Sequence, residues 1–162
     1  MNADLGEIAW AHIFMPPRDM NAGAYTSSFV NMAPYKSCTL IMVTNTGTAG
    51  TDAGMELKQA DNSDGTGART LQFRNAYYAK AADFQAYRGG WARRIVNDYA
   101  FQPEDSAENQ SIWAVTFQAS EMKVNEGYWY AGITVGAVGS TQMGAVIGLF
   151  MPSRHTPIPG VI

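Results

Sequence analysis

The side chains able to carry chemistry are few and scattered. The 162 residues include two histidines, His12 and His155, and one cysteine, Cys38. Acid–base or nucleophilic catalysis needs a base held against an acid or a nucleophile. His12 falls in an N-terminal stretch and His155 in a proline-rich tail, so neither is expected to have a fixed setting. No G-x-S-x-G elbow supports a serine nucleophile. Glu104 and Asp105 are adjacent in a polar loop, where neighbouring carboxylates point apart and are solvated instead of flanking a substrate. Zinc wants three or four nitrogen or sulfur ligands in close sets, which two histidines and one cysteine do not supply. The run Asp61-Asn62-Ser63-Asp64-Gly65 has hard oxygens but not the spacing of a calcium loop, and reads as a turn. Gly47, Gly50, Gly54, Gly65 and Gly67 precede no G-K-[ST] and read as hairpin glycines. The chain is therefore expected to be no enzyme and to need no cofactor or metal.

Binding is the remaining class. The net charge is -3, and no run of Lys or Arg interleaves with aromatics, so no nucleic-acid partner is expected. No apolar stretch reaches the roughly 18 residues of a membrane-spanning helix, so no membrane partner is expected either. The first thirty residues lack a basic segment followed by an apolar one, and the chain is expected to start at or near Met1. Cys38 lies within an apolar run and is read as a small buried hydrophobe, consistent with assembly in a reducing cytoplasm. Charged residues make up 15 % of the chain, against roughly 25 % in ordinary soluble domains, which predicts an unusually neutral surface. Tyr128-Trp129-Tyr130 sits in an alternating stretch whose pattern puts Trp129 in the core and both tyrosines outside. That placement favours a protein interface over a sugar platform.

The elements that must position these residues read as strands. Ser37 to Asn45 is nearly continuous in β-forming apolar residues and is expected near the centre of a sheet, covered on both faces. Met55, Leu57 and Gln59 alternate with Glu56, Lys58 and Ala60, giving a half-exposed strand. A hairpin-type loop leads from Asp61 to Gly67 into a strand over Thr70 to Arg74, and Ala81 to Arg88 is read as a short helix. Further strands are expected over Trp91 to Phe101, Ile112 to Phe117, Tyr128 to Val135 and Gly144 to Met151, with a corner over Ser120 to Asn125. Pro16-Pro17 is read as a breaker that turns a short first strand into an arm. The three prolines of residues 152–162 are read as an extended tail. The expected fold is all-β: one antiparallel sandwich or jelly-roll-like domain of about eight strands. Its expected parts are an arm and first strand (1–23), a sandwich (24–151) and a tail (152–162).

Three segments carry a resemblance: CTLIMVTNTG, MELKQADNSDGTGARTL and ASEMKVNEGYWYAGITVGAVGSTQMGAVIGLF. In order and pattern they resemble small virion proteins of tailed bacteriophages, most of all capsid decoration or cement proteins. The likeness covers Cys38 to Arg74 and Trp113 to Met151 and contains no catalytic motif. It implies a β-rich structural protein, made in the host cytoplasm, on the outside of the capsid. The implied partners are the major capsid protein and other copies of itself, as a homotrimer. A tail, head-completion or baseplate component, or a carbohydrate- or receptor-binding module, are the other roles this likeness leaves open. Extended segments reach over neighbours at low entropic cost, so the contact residues expected at the two ends are Trp10, Phe14, Pro16 and Pro17, then Arg154, His155, Pro157 and Ile158. Tyr128 and Tyr130 complete the set.

Overall fold

A computed structural model describes residues 9–80, 91–103 and 109–153. Twelve strands appear among them. Eight have six residues or more: β1 (Trp10–Asp19), β4 (Tyr35–Thr44), β5 (Met55–Ala60), β7 (Phe73–Lys80), β8 (Ala92–Asp98), β10 (Ser111–Gln118), β11 (Tyr130–Val135) and β12 (Met143–Pro152). Four are two-residue pieces: β2 (Tyr25–Thr26), β3 (Val30–Asn31), β6 (Arg69–Thr70) and β9 (Ala100–Phe101). They form two antiparallel sheets, so the expected sandwich is the architecture found. The large sheet runs β1-β12-β4-β10-β7-β8; the small one runs β2-β11-β5-β6, with β3 pairing to β11 and β9 to β5.

The two sheets close over one core. Cys38, Leu40 and Met42 of β4, Trp113, Val115 and Phe117 of β10, and Val146 and Phe150 of β12 face Leu57 of β5 and Ala131 and Ile133 of β11. All of these are buried, and period-two alternation explains each set. Gln59, expected on the apolar side of β5, is indeed buried. It is satisfied there, because its Nε2 donates to the Thr70 carbonyl at 3.1 Å and its Oε1 accepts from the Lys123 amide at 2.9 Å. The corner over Ser120 to Asn125 consists of two single 3-10 turns, Ala119–Glu121 and Val124–Glu126.

Three expectations need correction. Pro16-Pro17 does not end β1, which continues to Asp19. β1 is an edge strand, and its pairing with β12 shifts between Ile13 and Met15 and again between Met15 and Arg18. Prolines are tolerated on an edge at such irregularities because no ladder donor is lost there. Residues 10–19 are thus part of the sheet and not a free arm. The stretch from Arg69 to Lys80 is two strands in different sheets, joined through Leu71 and Gln72. Trp91 to Phe101 also divides, into β8 and β9 on either side of Tyr99, two residues after Asn97, whose φ is 48°. The helix read over Ala81 to Arg88 lies outside the described residues.

Glycines in β12 make room for the edge strand's side chains. A Cβ on Gly148 would fall on the Phe14 ring and lie 3.2 Å from Phe150; one on Gly144 would lie 2.7 Å from the Met20 sulfur. Gly148→Ala is therefore expected to destabilise the protein by about 1–3 kcal/mol through overpacking. In urea titrations, Phe14→Leu combined with Gly148→Ala should cost less than the two single changes added, because the smaller side chain relieves the clash. Strict additivity would place Phe14 elsewhere.

Candidate functional site

The outer face of the large sheet is built by strand register. Residues paired across neighbouring strands point to the same side. One row therefore runs Ile13, Ile147, Ile41, Ala114, Tyr77, Arg93 from β1 to β8. The row on one side of it is Ala145, Val43, Ile112, Ala79; on the other side it is Ala11, Leu149, Thr39, Thr116. Thr39 and Thr116 bind each other, hydroxyl to hydroxyl, at 2.9 Å. No position in these rows carries a charge until Arg93 at the far edge. Ile13 is 60 % exposed, Val43 45 % and Ile147 40 %, with Met143 and Met151 similarly open. Scattered exposed apolar residues are ordinary, whereas a contiguous apolar patch marks an interaction surface.

The small sheet shows what a water-facing surface looks like in the same molecule. Its outer positions include Glu56 and Lys58, paired at 2.6 Å, and Thr26 beside Thr134. Phe29 is buried against Gly132 and Gly65, neither of which has room for a Cβ, while Trp129, just before β11, is open. The two outer faces therefore differ in kind. At one end of the large sheet's face the surface dips into a groove of about 590 Å³ lined by Pro17, Val43, Ile112, Met143 and Ala145, with Asn45 and Gln110 at its polar side. At the opposite edge β8 is exposed along almost its whole length, and Ile95 is 73 % exposed.

The residues singled out from sequence fall in several places. Pro16 and Pro17 are exposed on β1, and Pro17 lines the groove. Trp10 is half-buried, stacked on His12 at 5.7 Å and on Tyr35 at 5.8 Å. Phe14 is 1 % exposed and belongs to the core, because the shift in β1 turns both Phe14 and Met15 inward; it is no surface contact in this fold. Tyr128 and Tyr130 are half-buried, and the Arg69 guanidinium sits 5.2 Å from the centre of the Tyr128 ring. Trp129 is 44 % exposed, not in the core, because β11 begins only at Tyr130 and the alternation does not reach back to it. Arg154, His155, Pro157 and Ile158 lie outside the described residues. In the loop over 61–67, Asn62 Oδ1 accepts from the Gly65 and Thr66 amides at 2.9 and 3.2 Å, and Asp64 Oδ1 from the Thr66 amide at 2.8 Å. These are the self-bonds of a turn, and the Thr66 bonds hold the Asp64 carboxyl below its usual value.

The main members of the apolar face, Ile13, Ile41, Val43 and Ile147, were not singled out from sequence. The signal was present. An apolar run with no polar alternation predicts a strand covered on both faces; here the core covers one face, while the other holds Thr39, Ile41 and Val43, half-buried or exposed.

No protein-family model and no curated protein matches the chain. Among solved structures, the prophage-derived protein YomS of SPBc2 is similar at 9 % identity and a TM-score of 0.47, over 87 % of this chain and 92 % of that one. Murine APRIL is similar at 8 % identity and 0.39, over 88 % and 98 %. The carbohydrate recognition domain of Emp47p is similar at 10 % identity and 0.35, over 90 % and 89 %. Likenesses at this level carry no argument about activity or partners.

His12 generates a pH prediction. Its Nε2 is buried without a hydrogen-bond partner, its ring meets Phe14 edge-on at 5.0 Å, and burial holds its pKa below the ordinary 6.5. The unfolded chain then takes up a proton before the folded one, so stability is full above that value and falls as pH drops through it. Urea midpoints should decline between about pH 7.5 and 5.5, above the carboxylate range, and His12→Phe should flatten that slope. An unchanged slope would remove His12 as its source.

Proposed function

We propose that this chain is a structural protein of a tailed-phage particle that acts by adhesion, as a decoration protein bridging neighbouring capsomers on the outside of the capsid. The observation that carries an adhesive role is the open, uncharged outer face of the large sheet beside a small sheet whose outer face is polar. The virion setting rests on the sequence resemblance. Its segments coincide with β4, with β5, the turn and β6, and with the 3-10 corner, β11 and β12, so the likeness spans strands of both sheets. Adhesion stabilises a shell by linkage: a protein that binds across a joint adds buried area only when the joint is closed, and its binding free energy favours the closed state. Many copies multiply the effect.

A second reading, a glycan- or receptor-binding module, is favoured by Trp129, an open flat ring between Tyr128 and Tyr130. Glycan-array binding lost on Trp129→Ala would establish it.

The primary reading is tested by sedimenting the chain with emptied heads of its own phage. Full-length protein should bind saturably at a fixed ratio to capsid subunits and raise the temperature at which heads disrupt. A chain ended after Ser153, which keeps β12 whole, should bind more weakly. No co-sedimentation would contradict the decoration role.

A further inference from the structure

We infer that the outer face of the large sheet is closed by a second copy of this chain. Charge argues for it first. Contacts between identical chains tend to bring a patch against itself, so any charge near the centre of such a patch meets its own like. This face has none at its centre, where the outward side chains of β1, β12, β4 and β10 are Ala11 and Ile13; Ala145, Ile147 and Leu149; Thr39, Ile41 and Val43; and Ile112, Ala114 and Thr116. Charge enters at the rim, with Asp19 opposite Met143 at the end of β1 and, at the far edge, Arg93 bonded to Asn75 Oδ1 at 2.8 Å. An apolar centre with a polar rim is how an interface core is built.

Area argues for it second. The four strands β1, β12, β4 and β10, about 4.8 Å apart and roughly 25 Å long, present about 480 Å², and β7 and β8 extend the face to about 700 Å². A standard stable interface takes about 800 Å² from each partner, so this face alone is of the size one partner needs. Relief fits as well: exposed Ile13 and Ile147 share the face with a groove lined by Pro17, Val43 and Ile112. The inference stands apart from the virion reading, since it needs no capsid.

Sedimentation velocity without heads tests it. The wild type at about 100 µM should run at a multiple of 17.6 kDa and dissociate on dilution by mass action. Ile13→Glu with Ile147→Glu, both at exposed positions, should run as the single chain with an unchanged circular dichroism spectrum. Thr134→Glu, on the other outer face, should keep the wild-type mass. The thiol introduced by Ile147→Cys should react with maleimide about tenfold or more slowly in concentrated than in dilute protein; the native Cys38 is buried. This labelling decides the matter if the double variant fails to fold. A wild type of single-chain mass, a double variant of wild-type mass, or labelling independent of concentration would each overturn the inference. In the last case, slow labelling at every dilution would assign the cover to the chain's own residues.

Discussion

Everything in this molecule hangs on β4, which is hydrogen-bonded along both edges, to β12 and to β10, over nearly its whole length. Its pairing fixes two surfaces at once. Cys38, Leu40 and Met42 face the core with no exposure, and Thr39, Ile41 and Val43 face out. A slip of one residue would exchange the two sets. Hydrophobicity alone does not forbid that slip, because both sets are largely apolar. Shape does: the inward residues are unbranched at Cβ and adapt to an irregular interior, and the outward ones are β-branched and suit a pleated surface packed from above. The neighbour β12 repeats the logic with glycine, since Gly148 and Gly144 leave space that Phe14 and Met20 fill.

Where a strand alternated cleanly, the sequence placed its side chains well. Trp113, Val115 and Phe117 point inward as their spacing requires, and the Asp61–Gly67 turn is tied by the Asn and Asp side chains that suggested it. The misreadings have physical causes. Proline signals a break only when the strand needs its amide, and at an irregular edge it does not; hence β1 runs through Pro16-Pro17. Alternation extrapolated one residue beyond the start of β11 misplaced Trp129. The two-residue strands β2, β3, β6 and β9 are too short to show any period, which is why about eight strands were legible and twelve are found.

The candidate site was legible in one respect and hidden in another. An apolar run of the β4 type states that both its faces avoid water, and the sequence does say so. It does not say whether the second cover comes from the same chain. That depends on long-range pairing, which here brings Ile13, Ile147 and Ile41, far apart in sequence, into one row. The adhesive part of the function proposed above rests on that division: one sheet has a polar outer face and the other a face uncharged at its centre.

The central claim, that the large sheet's outer face is buried in the working assembly, is tested most directly by oxidative footprinting of intact particles against the dilute isolated chain. Met143 and Met151 open onto that face at 43 % and 40 % exposure, and Trp129 reports on the opposite sheet at 44 %. The account predicts that both methionines are oxidised in the dilute chain and protected in the assembly. Methionines oxidised equally fast in both states would contradict it.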